Sequence, residues 1–408
     1  MNEQKIKVAL ICASTAPIPD VLGGGAERLV TMLLDENEFE QKLEFLVFSK
    51  YDKKAKEMSK SYKHSRIVYF VPSTFGDKIR NLFIYTLNKI FGKTIIPFGY
   101  YKKIASYLKD NKVDIMVDEN GYVKDYKVIS DTIGVNRSVA HIHWKVNPKE
   151  RHIEHNYRYA MGVSEYITNY WLKNSCEGVI DATVSSGINE HRFQKEISEE
   201  EKKQLMDMIG IQKGSLVISY CGRIHEQKGP LELYRAFKNL GLKESDVTLL
   251  FIGGSDKEGS KISAYHKELL QETSNDKNVF FTGYVNNDVL YKYYQISDVL
   301  VIPTIVEEAA GLVAIEAMMS GLPIIATKSG GLPEYVNEKC AILINKDGRM
   351  QAELSNALRE LIENREKREQ MAIEAKIQSE NYTQSGYYNR FVKKINLIMQ
   401  EQRSDNSV

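Results

Sequence analysis

The stretch VLVIPTIVEEAAGLVAIEAMMSGLPIIATKSGGLPEYV, residues 299–336, decides the fold of this chain. It opens with an apolar run at 299–302 that Pro303 closes, a pattern typical of a strand buried on both faces. Residues 312–319 have the apolar spacing of a helix, and Ser320 and Gly321 give its stop signal. Residues 324–326 predict the next strand, and residues 330–334 predict a turn that opens another helix. Strand, helix and strand in this order predict one crossover of a parallel sheet.

Two carboxylates, Glu308 and Glu316, flank the predicted helix start. Ligands of parallel sheets bind beyond the carboxyl ends of the strands, where helix N-termini present free N–H groups. The N–H groups of Ala310, Gly311 and Leu312 favour phosphate, whereas the carboxylates favour hydroxyl groups. A sugar nucleotide carries both chemistries. Spacing alone fits a purely structural interpretation equally well. In that interpretation Glu308 is a stabilising acid in the first turn of the helix, and Glu316 is a solvated helix residue.

Composition and charge set the broad class. A chain of 408 residues is expected to form two domains. Its formal net charge is +1, but residues 50–112 hold 15 Lys and Arg against four acidic residues, which favours an anionic partner. The four cysteines show no ligand spacing and indicate a reducing compartment. We find neither a signal-peptide core nor a run of ~18 apolar residues, so a cytoplasmic location is expected.

The first half alternates strands with helices. Residues 7–12 predict a central parallel strand, and Gly24 and Gly25 lie where a helix opens, so that backbone can approach a ligand or pack closely. Arg28 occupies the position where a dinucleotide fingerprint needs its third glycine, which argues against a nicotinamide cofactor. Further strands are predicted at 43–48, 66–71, 113–117 and 160–163.

Residues 75–107 mix aromatic and apolar residues with lysine and arginine. Such a segment is typical of a helix that lies on an anionic membrane surface. It also fits an inner helix whose lysines are solvated.

Two histidines lie in the apolar segment 137–144. In a strand, His141 and His143 share one face, and His143 is nearer the carboxyl end where ligands bind. A strand histidine is more often structural than catalytic. Which of the two serves an active site is not decided by the pattern.

The second half begins after a polar segment at 190–214, where we place the domain boundary. Strands are predicted at 216–220, 247–252 and 279–281. Arg223 and Lys228 follow the first of them, and Gly283 and Tyr284 follow the last. The alternation predicts two doubly wound α/β domains with a cleft between them.

These segments resemble retaining glycosyltransferases of family 4, which have the GT-B fold. The residues EAAGLVAIE at 308–316 match the E-x7-E pattern of that family, and GRIHEQKG at 222–229 is similar to its diphosphate-binding segment. Further similar segments are GLPIIA at 321–326, GGLPE at 330–334, GGAE at 24–27 and SGIN at 186–189.

The resemblance implies a role for each matched residue. Arg223 and Lys228 would bind the donor diphosphate, Glu316 the ribose and Glu308 the sugar hydroxyls. The remaining implied residues are His143 as the active-site histidine, Gly24, Gly25, Ala310, Gly311 and Leu312 along the donor, and Gly283 and Tyr284 near the base. No metal or cofactor is expected.

The resemblance also implies an organisation. Residues 1–190 would form the acceptor-side domain, with a C-terminal helix at 385–408 crossing back to it, and residues 191–384 the donor-binding domain. Two departures stand out, because Ala309 and Ala310 replace the common Pro-Phe and Ser186 replaces an asparagine. The first leaves the sugar undetermined.

The expected activity is transfer of a hexose-type sugar from a UDP-sugar, or a GDP-sugar, to a lipid-linked or polysaccharide acceptor. The enzyme would work in the cytoplasm at the inner face of the plasma membrane, without nucleic acid. Alternatives are a soluble metabolite or protein acceptor, and a GT-B protein that epimerises or only binds nucleotide sugars.

Overall fold

The computed structural model describes residues 5–71, 75–91, 99–119, 124–175, 180–243, 245–254 and 262–405. The chain divides into two compact units, one of residues 1–186 with 384–408 and one of residues 187–383. Each unit contains one parallel sheet with helices around it, as the strand and helix alternation predicted. That one unit serves the acceptor and the other the donor stays a prediction.

The first unit is built on a seven-stranded sheet. Its strands are β1 (Ile6–Cys12), β2 (Leu43–Lys50), β3 (Ser65–Phe70), β4 (Ile115–Glu119), β5 (Ser138–Ile142), β6 (Tyr159–Gly162) and β7 (Ile180–Thr183). They lie in the order β3-β2-β1-β4-β5-β6-β7. The order reverses between β1 and β4, so the switch point, where ligands of doubly wound sheets bind, lies beyond the carboxyl ends of these two strands. We call the carboxyl ends of the strands at the switch point the ligand edge of the sheet.

Eight helices surround this sheet in the described part of the unit. They are α1 (Gly25–Glu40), α2 (Lys53–Met58), α3 (Phe75–Phe91), α4 (Tyr100–Asp110), α5 (Lys127–Ile133), α6 (Pro148–Arg151), α7 (Glu165–Lys173) and α16 (Gln384–Asp405). Their starts follow the sequence. Ser164, for example, caps α7 by accepting the Ile167 N–H at 3.3 Å.

The last helix, α16, belongs to the first unit. Its Phe391 ring lies 6.2 Å from Phe45 of β2. The Tyr388 hydroxyl donates to the buried Asn37 side chain at 2.6 Å and accepts the Lys42 backbone N–H at 3.2 Å. The chain end is therefore held by both apolar packing and buried hydrogen bonds.

The second unit is built on a six-stranded sheet. Its strands are β8 (Leu216–Cys221), β9 (Val247–Ile252), β10 (Val279–Phe281), β11 (Val299–Ile302), β12 (Ile324–Thr327) and β13 (Ala341–Ile344). They lie in the order β10-β9-β8-β11-β12-β13, so the switch point lies between β8 and β11. The predicted strands at 247–252, 279–281 and 299–302 have the bounds that the sequence indicated.

The helices of the second unit complete the alternation. They are α8 (Glu190–Phe193), α9 (Glu199–Ile209), α10 (Pro230–Lys238), α11 (Ala264–Glu272), α12 (Leu290–Gln295), α13 (Leu312–Met319), α14 (Met350–Glu363) and α15 (Arg365–Ser379). Helix α13 matches the predicted 312–319. Among the described residues, no helix is both long and apolar enough to cross a membrane.

One predicted helix, opening at 330–334, is only a 3-10 turn at Leu332–Glu334. The Asn337 side chain accepts the N–H groups of Lys339 and Cys340, at 2.9 and 3.2 Å, and so turns the chain into β13. The predicted helix therefore does not continue, because hydrogen bonds of the Asn337 side chain turn the backbone toward β13.

Candidate active site

The loops that follow β8 and β11 are joined at the switch point of the second unit. The Gln227 carbonyl oxygen accepts the Ile305 N–H at 2.9 Å and lies 3.1 Å from the Thr304 hydroxyl oxygen. Gly229 has φ +68°, and a Cβ there would lie 2.1 Å from the Pro303 carbonyl oxygen. Because only glycine fits this approach, the two loops hold their side chains in a fixed relation.

Two predicted site residues are in direct contact there. Lys228 Nζ lies 2.5 Å from Glu308 Oε1. The hydroxyl of the fully buried Thr304 donates to the same carboxylate oxygen at 2.8 Å. Both charged side chains are partly buried, so a cation and a carboxylate are held together at the edge where the sequence placed them.

The loop after β12 fixes the backbone of Glu308. Gly330 has φ +53°, and a Cβ there would lie 2.1 Å from the Glu308 carbonyl oxygen, which also accepts the Gly331 N–H at 2.8 Å. The neighbouring Glu307 accepts the Gly330 N–H and pairs with Lys346, both at 2.5 Å. Glu308 is therefore supported from two adjacent loops.

Helix α13 begins beside this carboxylate. Gly311 is its N-cap and makes no side-chain capping bond. The first N–H groups of a helix have no acceptor within the helix, so the amides from Gly311 onward are suited to an anion. Ala310 lies half-buried just before them.

Glu316 has different surroundings from Glu308. It lies on the buried part of α13, 5% exposed, and accepts the Tyr294 hydroxyl at 3.1 Å. Burial, followed by the nearby Glu316 charge, raises the pKa of the Cys221 thiol to about 12. Glu316 is thus a buried carboxylate beside the end of β8, and the interpretation as a solvated helix residue is wrong.

A cavity of about 200 Å³ opens next to these residues. Arg223 and Tyr284 line it together with the closely packed Gly222 and Gly253, where a Cβ on Gly253 would meet the Gly222 carbonyl oxygen at 2.1 Å. The Tyr284 ring is 55% exposed and follows Gly283 at the end of β10. The structure therefore brings Arg223, predicted for the diphosphate, and Tyr284, predicted for the base, to one cavity.

A larger cavity of this unit lies elsewhere. It measures about 850 Å³ and is lined by residues at the amino ends of strands, such as Leu216, Asp298 and Pro323. None of the predicted site residues lines it, so size alone does not mark the ligand edge of this sheet.

The first unit carries a polar cluster at its own switch point. Glu119 ends β4 and is paired in register with Cys12 of β1 and His141 of β5. Its carboxylate lies 2.9 Å from His141 Nδ1 and 2.8 Å from His143 Nε2. All three side chains are buried, and the two imidazole rings lie 4.3 Å apart.

Electrostatics sets the charge states of Glu119 and His143. Burial raises the pKa of Glu119, but the charges and hydrogen bonds of His141 and His143 outweigh burial and hold that pKa at about 2. Burial and then the His141 charge lower the pKa of His143. Glu119 is ionised and His143 neutral at pH 7.

Gly24 and Gly25 start α1 above β1. Gly24 is the N-cap, with extended backbone, and a Cβ there would meet the Glu27 carboxylate at 2.1 Å. Burial raises the pKa of Glu27. The glycine turn is therefore packed closely on an acidic side chain at the same edge as Glu119.

Within the described residues, one group has the donors for a metal ion, since ligating atoms of Glu119, His141 and His143 lie within 4.8 Å of one another. These atoms already contact each other at hydrogen-bond distances. The expected independence from metal stays a prediction.

Sequence reasoning missed Glu119, Thr304 and Tyr294. We predicted the fourth strand at 113–117, whereas β4 extends to Glu119, because Asp and Glu are rare inside strands. The rule that ligands bind at carboxyl ends would have found Glu119. Thr304 and Tyr294 carry no such signal, since they act through buried hydroxyl groups.

Comparisons with known proteins show similarity in sequence for part of the chain and in fold for nearly all of it. Residues 199–378 match the family model described as glycosyl transferases group 1. The chain is 33% identical, over 135 residues, to the lipopolysaccharide 1,2-N-acetylglucosaminetransferase of Salmonella typhimurium. The aligned residues cover 32% of the chain and 35% of that protein. The chain is 32% identical, over 163 residues, to the D-inositol 3-phosphate glycosyltransferase of Corynebacterium kroppenstedtii, covering 39% of the chain and 36% of that protein.

The chain thus spans about a third of the length of these two curated relatives. Among solved structures, it is similar to the Anabaena protein HepE in complex with UDP and glucose, with a TM-score of 0.72 and 18% identity over 96% of this chain and 99% of that one. In sequence, residues 199–378 are therefore similar to the group 1 glycosyl transferases, and in fold the chain is a two-domain GT-B protein.

Proposed function

We propose that this protein is a retaining glycosyltransferase that moves a hexose-type sugar from a nucleotide diphosphate sugar to a hydroxyl group. The observation that carries the proposal is the contact between Lys228 and Glu308 at the switch point, beside the open start of α13. The group 1 match over residues 199–378 supports it. The Anabaena neighbour in complex with UDP supports a UDP-sugar as first choice, with a GDP-sugar as second.

The donor diphosphate is assigned to Arg223, Lys228 and the first amides of α13. At an effective dielectric constant near 20, each contact at ~4 Å is worth roughly 4 kcal/mol before desolvation. Lys228 is already partnered by Glu308, so the cation is held in place before phosphate arrives. Charge that grows on the leaving diphosphate would be stabilised by groups that need no rearrangement.

The two acids take separate hydroxyl groups of the donor. Glu308, beside the phosphate cations, is assigned to the sugar, and Glu316, held by Tyr294, to the ribose. The nucleotide base of the donor is assigned to the cavity beside Tyr284. The sugar itself is left open by Ala309 and Ala310, which replace the larger residues common in the family that the chain resembles.

Transfer proceeds in one step on one face of the sugar. The acceptor oxygen bonds to the anomeric carbon, the bond from that carbon to the phosphate oxygen breaks, and the acceptor proton passes to the leaving phosphate. The phosphate therefore serves as the base. His143, with the glycine turn of Gly24 and Gly25, is assigned to substrate positioning on the first unit.

The acceptor is assigned to a membrane surface on account of α3. Its Phe75, Ile79, Leu82 and Phe83 side chains are between 58% and 80% exposed and share one helical face. Single exposed apolar residues are ordinary, but four on one face form a patch. Residues 92–98 of the basic segment lie outside the described residues.

The opposite side of α3 is anchored. The buried Asp77 pairs with Lys103 of α4 at 2.8 Å, so the apolar face is turned outward. Arg80 is exposed on the same helix. An apolar face with neighbouring cations fits the interface of an anionic bilayer, and with it a lipid-linked or growing polysaccharide acceptor at the inner face of the plasma membrane.

Vesicle sedimentation tests this part. The protein is expected to bind vesicles of phosphatidylcholine with phosphatidylglycerol, and the double variant Leu82→Ser, Phe83→Ser to lose most of that binding, since each buried apolar side chain is worth about 1.5–3 kcal/mol. Phe39→Ser is the control, because Phe39 is 81% exposed on α1 of the same unit. Equal binding by all three proteins would refute the membrane assignment.

A panel of UDP- and GDP-sugars tests the activity as a whole. Release of nucleoside diphosphate that requires an acceptor supports transfer. Release with water-soluble acceptors alone would favour a soluble metabolite or protein acceptor. Conversion of the donor sugar without release would favour an epimerase, and binding without either would favour a nucleotide-sugar binding protein.

A further inference from the structure

The polar cluster at the switch point of the first unit is built from three neighbouring strands. Glu119 ends β4, lies in register with Cys12 of β1 on one side and with His141 of β5 on the other, and is 2% exposed. His143 follows one residue after β5 ends at Ile142. The sheet thus aims one buried carboxylate at two histidines on its ligand edge.

The contacts determine which ring nitrogens carry hydrogen. An ionised carboxylate can only accept, so the two nitrogens that contact it must both be N–H donors. These are His141 Nδ1, at 2.9 and 3.1 Å from the two oxygens, and His143 Nε2, at 2.8 Å from one of them. In a neutral ring the other nitrogen then carries a lone pair.

The remaining nitrogens are His141 Nε2 and His143 Nδ1. Both are buried, and neither has a hydrogen-bond partner among the described residues. A buried acceptor without a partner is unfavourable, and a hydroxyl group that reaches it removes the deficit. His143 lies in the loop beyond the strand, on the ligand edge, so its Nδ1 is the acceptor that a substrate is placed to meet.

A metal ion between the three side chains would require a different arrangement. It would take the lone pairs of His141 Nδ1 and His143 Nε2, and the opposite ring nitrogens would then be N–H donors. Histidines that bind metals almost always donate that N–H to an acceptor. Within the part of the chain that the structure describes, neither ring has one. The hydrogen-bonded arrangement therefore fits better.

We infer that Glu119 is a positioning residue, which holds His143 with Nε2–H on its carboxylate and Nδ1 open as the acceptor for a sugar hydroxyl group. His141 is the second donor that fixes the carboxylate between the strands. The hydroxyl belongs either to the donor sugar or to the acceptor. The role in turnover rests on the proposed glycosyl transfer, but the protonation pattern does not.

The first measurement uses the unaltered chain. In ¹⁵N-edited NMR of ring-labelled protein at pH 7.5, His143 is expected to show a protonated Nε2 and an unprotonated Nδ1. A protonated Nδ1 would overturn the inference. This result is obtained whether or not the protein transfers sugar, so it separates failure of the inference from failure of the proposed function.

The variant Glu119→Gln tests the positioning. A carboxamide has one acceptor oxygen and one NH₂ donor. Its oxygen can accept the N–H of one ring, but its NH₂ group then meets the N–H donor of the other ring. We expect loss of the single His143 ring pattern and a fall in kcat of about 10- to 100-fold, as for other groups that orient a histidine. Glu119→Asp keeps the charge and is expected to restore part of the rate.

The control is Asp118→Asn. Asp118 is the adjacent buried carboxylate of β4 and accepts the Tyr157 hydroxyl at 2.5 Å. The Asp118→Asn variant is expected to leave the protonation pattern of the His143 ring unchanged.

The kinetics of Glu119→Gln identify the hydroxyl group that His143 accepts. A rise in KM for the nucleotide sugar, in Glu119→Gln alone, assigns that hydroxyl to the donor sugar, and a rise in KM for the acceptor assigns it to the acceptor.

Three results would overturn the inference. One is a Glu119→Gln protein with the native ring pattern and native kcat and KM. A second is an Asp118→Asn protein with the same kinetic loss. The third is loss of activity on chelation with one bound metal ion per chain, which would make the cluster a metal site. If Glu119→Gln does not fold, Glu119→Asp and the unaltered chain still decide.

Discussion

Thr304 supports Glu308 through a single hydroxyl hydrogen bond of 2.8 Å. Thr304→Val keeps the shape and removes the donor, so we expect about 1–2 kcal/mol less stability and a loss of about tenfold in kcat/KM, because Glu308 is released from its position. Urea unfolding and turnover measure the two effects. Thr273→Val is the control, since Thr273 is the buried C-cap residue of α11 and its hydroxyl donates to a backbone carbonyl. Equal kinetic losses in both variants would contradict this role.

The histidine cluster predicts a pH dependence of stability. Burial lowers the pKa of His143. As pH falls below about 6.5, this side chain is therefore protonated in the unfolded chain but stays neutral in the folded chain. Stability from this group is present above about pH 6.5 and is lost as pH falls, by at most about 1.4 kcal/mol per pH unit. His143 faces His141 and Glu119, and the lowered pKa of Glu119 adds its own loss only below about pH 4.5.

Urea unfolding between pH 8 and pH 5 measures this dependence. The native chain is expected to lose more stability over that range than His143→Gln, in which the group is absent. Parallel stability curves for the two proteins would show that His143 is not kept neutral by burial.

At the residue scale, sequence reasoning located charged groups better than their supports. Lys228 and Glu308 were found because both follow strands whose carboxyl ends form the ligand-binding side of the sheet, and the structure joins them at 2.5 Å. Glu316 was placed correctly on the helix, but its burial was not foreseen. Thr304 and Glu119 act by reaching side chains 4 and 22 or 24 positions away, which only the folded chain displays.

The side chain of Tyr388 ties helix α16 to α1 and to the segment before β2. Tyr388 bonds both the buried Asn37 and the Lys42 N–H. Tyr388→Phe is expected to destabilise the first unit by about 1–3 kcal/mol, because Asn37 loses a partner inside the core. Thermal or urea unfolding measures this loss.

Lys42→Ala is the control for that substitution. It removes the exposed contact of Lys42 Nζ with Asn389, at 2.8 Å, but keeps the backbone N–H that Tyr388 accepts. Its effect is expected to stay within about 0.5 kcal/mol. A larger loss in Lys42→Ala than in Tyr388→Phe would mean that surface contacts, not the buried hydroxyl, hold α16.

At the element scale, the apolar runs predicted most strands to within two residues. Strand β11 and helix α13 have the predicted bounds because proline and glycine end them sharply. The 3-10 turn at Leu332–Glu334 and the polar end of β4 were not predicted. Both depend on side-chain partners, Asn337 in the first case and the two histidines in the second, rather than on periodicity.

At the scale of the whole molecule, the two sheets repeat one strand order around their first strands, β1 and β8. Each unit therefore has its own switch point, and each switch point carries a buried or partly buried carboxylate paired with basic side chains, Glu119 in one and Glu308 in the other. The second unit has the amides and cations for phosphate. The alternation of strands and helices was readable from the sequence, but the neighbours of each carboxylate were not.

We propose above all that the carboxyl ends of β8 and β11 bind a nucleoside diphosphate. Titration calorimetry with UDP and with GDP tests it on the native chain, Lys228→Met and Lys238→Met. Lys238 is a more exposed lysine at the end of α10, 3.5 Å from Asp276. We expect Lys228→Met to bind the preferred nucleotide at least tenfold more weakly, a loss of about 1.4 kcal/mol, and Lys238→Met to keep native affinity. Equal affinity in all three proteins, or no binding of either nucleotide by the native chain, would contradict it.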